Sequence, residues 1–153
     1  MKAVVQRVIE ASVSVEGIMK GQIGFGLLVY LGVAHDDSAK DADWLAEKIA
    51  GLRIFNDAEG KMNLSLLDIV NNHHSIGILA VSQFTLLGDA RKGRRPSWGK
   101  AAPPEKAREL YSYFVKRIQE TGLHCEIGEF QAHMQVKYTN DGPVTIILDT
   151  AEK

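Results

Sequence analysis

Polar and apolar residues alternate from the first positions of the chain. Residues 3–15 carry a period of two, with Ala11, Val13 and Val15 opposed to Ser12, Ser14 and Glu16, the signature of a half-buried strand. Glu16-Gly17 is a turn signal, and a second strand is expected to return toward Ile23. Gly24-Phe25-Gly26 then punctuates, and residues 27–33 form a nearly continuous apolar run, short enough for a buried strand. Ser38 with Asp41 three residues on reads as a helix N-cap. Ala42, Leu45, Ala46 and Ile49 follow at helical spacing, with an end near Gly51 or Leu52. Residues 53–55 predict a short strand before the Asn56-Asp57-Ala58-Glu59-Gly60 turn, and 61–72 has no clear pattern. A strong strand is expected over 75–86, then a polar, basic loop over 88–102. Pro103-Pro104 opens a second helix with an apolar face of Ala107, Leu110, Tyr111, Phe114 and Ile118. Gly122 suits the residue just past its end. The segment 124–150 reads as strand, loop, strand, tight turn, strand.

Neither helix sits in a regular β-α-β-α series. The order predicts an α+β fold: a strongly curved, barrel-like, mostly antiparallel sheet with two main flanking helices, and not a doubly wound fold. With 153 residues the chain suits one domain with a real core. There are no internal repeats, no low-complexity segment and no linker.

Composition narrows the class. The hydrophobic fraction of 45% and charged fraction of 24% are ordinary for a globular protein. A formal net charge of −1 supplies no global field for nucleic acid, so such binding needs a local patch. The single cysteine, Cys125, cannot form an intrachain disulfide and fits a reducing compartment. The first residues lack the apolar core of a signal peptide, and no apolar run approaches the ~20 residues that span a bilayer. A cytoplasmic location is expected.

Candidate chemistry concentrates in two strings, Ser82-Gln83-Phe84-Thr85-Leu86 and Asn140-Asp141-Gly142-Pro143-Val144-Thr145. Each interrupts an apolar run. The first offers Ser82 and Thr85 as nucleophiles, but neither has a base beside it in sequence. The plainer reading is a strand end whose polar groups satisfy backbone donors. Gly142-Pro143 is by default a plain turn. The loop 89–100 is the one concentrated basic segment, with Arg91, Lys92, Arg94 and Arg95 interleaved with Trp98 and glycines, which suits phosphate and ribose contact or simple solvation. Metal ligation is weakly supported: His73-His74, His124-Cys125 and His133 lack zinc-site spacing.

Taken together, these strings resemble the D-aminoacyl-tRNA deacylase family of chirality-checking enzymes. Further agreement lies in Gln6-Arg7-Val8, in Asp57-Ala58-Glu59-Gly60-Lys61-Met62-Asn63, in Arg95-Pro96-Ser97, and in Gly128-x-Phe130 leading to Met134-Gln135-Val136. The likeness covers one domain over 1–148. Residues 149–153 look like an unmatched tail, the loop at 71–74 looks longer than in the family, and Trp98 stands where phenylalanine is expected.

The resemblance implies a homodimer that hydrolyses the ester joining a D-amino acid to the 3′ end of tRNA and rejects L-aminoacyl-tRNA. Glycine, mischarged on tRNA(Ala), would also be accepted. It implies a cis Gly142-Pro143 peptide reaching into the partner's pocket, with Arg7 bracing it and Asn140 and Met134 in support. Ser82, Gln83, Phe84 and Thr85 would line the pocket, with Phe84 near the terminal adenine. Charged tRNA is the implied partner, with no DNA, no membrane, no cofactor and no metal. Two other readings stay open: a small-molecule esterase or peptidase using Thr85 with a histidine brought in by folding, and a tRNA-binding module without catalysis.

Overall fold

The structure, a computed structural model, describes residues 1–70 and 75–153. The N-terminal alternation forms one long strand, β1 (Lys2–Val15), which organises everything else. Its buried positions switch sides near the middle. Ala3 and Val5 enter the core beneath the helices, whereas Val8, Ala11 and Val13 enter a second core inside the curved sheet. Glu16 and Gly17 both take positive φ, 51° and 80°, as a two-residue hairpin turn demands, and return the chain as β2 (Ile18–Ile23). The apolar run beyond it is β3 (Gly26–Gly32), antiparallel to the first half of β1, while β2 is antiparallel to the second half. The other edge of β1 is paired along its length with β8 (Gln135–Asp149).

The first helix, α1 (Ala39–Ala50), begins at the predicted Ser38/Asp41 capping box and stops at Gly51. It carries the chain toward β6 (Gly77–Ser82), which lies parallel to β3. Likewise α3 (Pro104–Glu120) crosses over to β7 (His124–Ile127), parallel to β6. The sheet is therefore a nearly closed, barrel-like mixed sheet: three of its pairings are antiparallel and two, each spanned by a main helix, are parallel. Ala42, Leu45 and Ile49 of α1 and Leu110, Phe114 and Ile118 of α3 bury against Leu27, Val29, Ile78 and Ala80. The second core, Ile23, Leu28, Leu79 and Val81 with the far half of β1, fills the concave side.

Three expectations change. The stretch after the 56–60 turn is not irregular: β5 (Met62–Leu64) pairs with β4 (Phe55–Asn56), and a second capping box, Ser65 with Asp68, starts the one-turn helix α2 (Leu66–Ile69). The strand expected to reach residue 86 ends at Ser82, because the chain turns so that Leu87 can be buried. The tight turn expected near 140–143 lies instead within the continuous β8. His73 and His74 lie outside the described residues. No helix among the described residues is long and apolar enough to cross a membrane. Residues 150–152 form a short 3-10 turn, and Lys153 pairs with Asp41 at 2.7 Å.

Candidate active site

At the end of β6 the main chain leaves the sheet. Gln83 N–H still donates to Leu31 O at 2.8 Å, but the next residues, Phe84–Leu87, coil into a 3-10 turn closed by Gly88 N–H on Thr85 O at 3.0 Å. Leu87 anchors the turn in the core, and the Phe84 and Thr85 side chains stay exposed. The first N–H groups of such a turn have no partner within it, and those of Phe84 and Thr85 meet no acceptor among the described residues. Two main-chain donors without an acceptor among the described residues thus lie at the edge of a cleft of about 580 Å³, of which Phe84 is part of the lining. Ser82, Gln83 and Phe84 form one wall, Ala101, Ala102, Pro104 and Ala107 the second, and Phe130, Gln131, His133 and Met134 the third. The hydroxyl of Thr85 is taken by the Gln83 side-chain amide, and no imidazole or carboxylate bonds to it among the described residues.

The second string builds a different feature. Gln6 pairs with Thr145 and Val8 with Asn140, so residues 141–144 all stand opposite Arg7. This is a bulge that lifts the Gly142–Pro143 segment off the sheet. Asn140 and Arg7 hold it from both sides. The Asn140 amide donates to Arg7 O at 2.9 Å and to Val144 O at 3.0 Å. The buried Arg7 guanidinium donates from Nη1 to Ile54 O at 2.6 Å, and its Nε lies 2.8 Å from Asp141 Oδ2. Gly142 sits at φ +108°, where a side chain is strained, and a Cβ there would stand 3.0 Å from Arg7 Nη2 and 2.9 Å from Val144 Cγ2. The Gly142–Pro143 peptide is cis.

The basic loop closes on itself through paired main-chain bonds between Asp89 and Ser97, both 2.9 Å. Arg91 is spent inside the loop: its Nε lies 2.9 and 3.0 Å from the two oxygens of Asp89, and this side-chain pairing, with the Arg91 main-chain N–H, holds the Asp89 carboxyl well below the usual carboxylate range. Lys92, Arg94 and Arg95 are exposed and pair with no carboxylate among the described residues. At the base of the loop the Trp98 ring meets Phe84 edge to face, 5.3 Å between centroids.

The structure therefore sorts the sequence candidates into three groups. Ser82, Gln83, Phe84 and Met134 share the cleft, with Thr85 on the adjoining turn. Arg7, Asn140, Gly142 and Pro143 share the bulge, joined by Asp141, which sequence reasoning did not single out. Arg91, Lys92 and Arg95 share the loop, around a hollow of about 370 Å³. Gln131 and His133 at the cleft were also missed. They come from a loop between β7 and β8, and nothing local in their sequence marks them as facing β6.

The architecture is that of an α+β enzyme-like domain with a main-chain-rich cleft at a strand end. Comparison with known proteins gives the family. The family model for D-Tyr-tRNA(Tyr) deacylase matches residues 4–149. The chain is 58% identical over 153 residues to the D-aminoacyl-tRNA deacylase of Koribacter versatilis (strain Ellin345), covering 100% of this chain and 99% of that protein. It is 55% identical over 152 residues to that of Thermotoga petrophila (strain ATCC BAA-488 / DSM 13995 / JCM 10881 / RKU-1), covering 99% of each. Among solved structures, the c-Myc DNA unwinding element binding protein superposes with a TM-score of 0.88 at 42% identity, over 98% of this chain and 99% of that one. A probable eukaryotic D-amino acid tRNA deacylase shares the fold, with a TM-score of 0.80 at 16% identity over 96% and 97%. The chain belongs to the D-aminoacyl-tRNA deacylase family, hydrolases of the ester bond of aminoacyl-tRNA.

Proposed function

We propose that this chain hydrolyses the ester between a D-amino acid and the 3′ end of tRNA, and likewise a glycyl ester mischarged on tRNA(Ala). It does so as a homodimer in which each copy's Gly142–Pro143 segment closes the other's cleft. The observation that carries this reading is a separation. Val136 of β8 lines the cleft. Gly142 lies further along the same strand, roughly 20 Å away at ~3.3 Å per residue. A wall that rejects one hand of an amino acid must touch the substrate at Cα, and a segment that far along β8 from Val136 is better placed to meet the cleft of a second copy. A second copy can supply it. β8 is an edge strand, paired only with β1 among the described residues, and Tyr138 and Ile147 on it are exposed.

The chemistry asks little of side chains. Water adds to the ester carbonyl, the ribose oxygen leaves with a proton, and free amino acid and tRNA result. The unpaired N–H groups of Phe84 and Thr85 suit the oxyanion that forms, and the ribose 2′-hydroxyl beside the ester can guide the proton. Phe84 offers its ring to the terminal adenine, and Met134 packs across the cleft. The bulge main chain acts as the wall: an L side chain collides with it, a D side chain points away, and glycine has nothing to collide. A Thr85-dependent esterase has less support, because the Thr85 hydroxyl accepts from Gln83 and meets no base among the described residues.

The test is deacylation of matched D- and L-tyrosyl-tRNA by pure protein, with its mass in solution measured alongside. Release of D-tyrosine only, from a dimer, is the expected result. Equal rates for both hands would overturn the wall, no release would overturn the hydrolase, and an active monomer would overturn the shared site.

A further inference from the structure

We propose that Trp98 is a second nucleobase platform, stacking the base that precedes the terminal adenosine of the tRNA 3′ end. The inference rests on the reading of the cleft as the site for an aminoacyl-adenosine.

Two large aromatic side chains stand side by side in solvent here, Phe84 at 55% and Trp98 at 41% exposure, which is costly unless something covers them. They are not equivalent. Phe84 lines the cleft, and Trp98 lies just outside it, in edge-to-face contact at 5.3 Å and 69°. The Trp98 ring also packs against Gly88 and Phe84. Gly88 packs so closely that a Cβ there would come within 2.6 Å of Trp98 Cζ3, and Trp98 O accepts from Ala101 N–H at 2.9 Å. An exposed ring held by its neighbours loses little entropy when a base stacks on it.

The loop that carries the ring is rich in cations. Residues 88–102 carry five cations, Arg91, Lys92, Arg94, Arg95 and Lys100, against the single carboxylate of Asp89, in a chain whose net charge is only −1. Asp89, Arg91, Lys92, Arg95 and Ser97 line a hollow in this loop; with Arg91 matched by Asp89, Lys92 and Arg95 are the cations there that suit a phosphate. Cations tracking a backbone beside aromatic rings are the means by which proteins hold unpaired nucleic-acid strands. The order of parts along the surface is then cleft, Phe84, Trp98, cations. That is the order in which a single-stranded 3′ end presents its ester, its last base, its next base and its phosphates.

Trp44 and Trp98 are the two tryptophans, and Trp44 sits on α1, packed against the helical core. In a Trp44→Phe background the indole emission reports Trp98 alone. Titration with uncharged tRNA should quench it saturably, and tRNA shortened by its last three nucleotides should not. Separately, Trp98→Ala should lower kcat/KM on D-tyrosyl-tRNA at least ten-fold more than on D-tyrosyl-adenosine, which lacks the second base. The loss should fall in KM, and Trp98→Phe should recover most of it. Thermal unfolding of both variants shows whether the fold is kept. Absence of quenching by intact tRNA, or equal losses on the two substrates, would overturn the platform. If the unsubstituted protein released no D-tyrosine at all, the hydrolase reading would fail, while the quenching experiment would still decide whether Trp98 meets the 3′ end.

Discussion

The side-chain amide of Asn140 donates to the main-chain carbonyl of Arg7 at 2.9 Å, across the point where β1 and β8 part. The same amide reaches Val144 O at 3.0 Å, so one side chain ties both ends of the bulge to the strand it left. Asn140→Ala removes both donors and strands two carbonyls. At about 1–3 kcal/mol for a buried polar group left unpaired, discounted because Asn140 is only half-buried, a loss near 2 kcal/mol is expected. For a chain of this size that lowers Tm by several degrees. Discrimination should fall as well, seen as hydrolysis of L-alanyl-tRNA at a rate approaching that of D-alanyl-tRNA. A variant with unchanged Tm and unchanged discrimination would show the bulge to be held by other contacts.

Gly142→Ala tests the wall from the opposite side. The φ of +108° disfavours alanine, and the new methyl meets Arg7 Nη2 at 3.0 Å and Val144 Cγ2 at 2.9 Å. Arg7 is buried and tied to Ile54 and Asp141, so it cannot move aside cheaply. The segment must shift instead. The expected outcome is a folded protein whose D/L rate ratio drops by an order of magnitude or more, with kcat on D-tyrosyl-tRNA reduced less. Retention of the full ratio in a folded variant would place the discriminating atoms elsewhere.

What the sequence revealed of this site was local. The apolar run leading to Ser82 acts through neighbours in the chain and was legible, as was the Ser38/Asp41 box of α1 in the fold around it, whereas Gly142-Pro143 reads by its residues as a plain turn. The Ser65/Asp68 box has the same chemistry but no helical apolar spacing long enough behind it, so its one-turn helix falls in a stretch without a clear pattern. The parallel β3–β6 pairing was hidden because β4, β5 and α2 break up the crossover. The bulge was hidden for a related reason. Residues 140–145 carry turn residues, and only the pairing of both flanks with β1 shows that the strand continues past them. Likewise, nothing around Gln131 or His133 announces a cleft built by a distant strand.

Thr85→Ala separates two mechanisms. Its hydroxyl accepts from the Gln83 amide and meets no base among the described residues, while the neighbouring main-chain N–H groups survive the substitution. Deacylation of D-tyrosyl-tRNA should stay within roughly ten-fold of the unsubstituted rate. A fall of several orders of magnitude with binding intact, or an acyl-enzyme trapped on Thr85, would establish the hydroxyl as the nucleophile.

The interior sets an alkaline limit. Burial, with lesser effects from Tyr138, pushes the Tyr30 hydroxyl up to about 12. Burial, reinforced by Glu126, pushes the Cys125 thiol up to about 12. Burial raises Tyr111 as well, whose hydroxyl donates to Ala80 O at 2.9 Å. In each case the unfolded chain ionises at a lower pH than the folded one. Their contribution to stability is therefore complete below the unfolded values, roughly pH 8.5 for the thiol and 10 for the phenols, and is lost as pH climbs toward 12. Chemical unfolding followed from pH 8 to pH 11.5 should show stability falling monotonically, and Cys125→Ala should flatten the part that begins below pH 10. Stability that held constant to pH 11.5 would contradict these shifts.

The basic loop divides its cations between two duties. Arg91 is bound to Asp89 and shapes the loop, whereas Lys92, Arg94 and Arg95 pair with no carboxylate among the described residues. Only a cation that displaces counterions from phosphate contributes to the salt dependence of binding, by roughly 0.7–0.9 of a unit of slope each. Lys92→Ala, Arg94→Ala and Arg95→Ala combined should therefore flatten the plot of log affinity for tRNA against log salt by about two to three units. Arg91→Ala alone should flatten it by less than one, because its charge is already matched by Asp89. The D/L rate ratio should hardly change in the triple variant, since the wall lies on the bulge and not on this loop. An unchanged slope would move the tRNA surface away from residues 91–95. A slope changed equally by Arg91→Ala and by each of the others would mean that the Asp89 pair opens when tRNA binds, and that Arg91 exchanges the carboxylate for a phosphate.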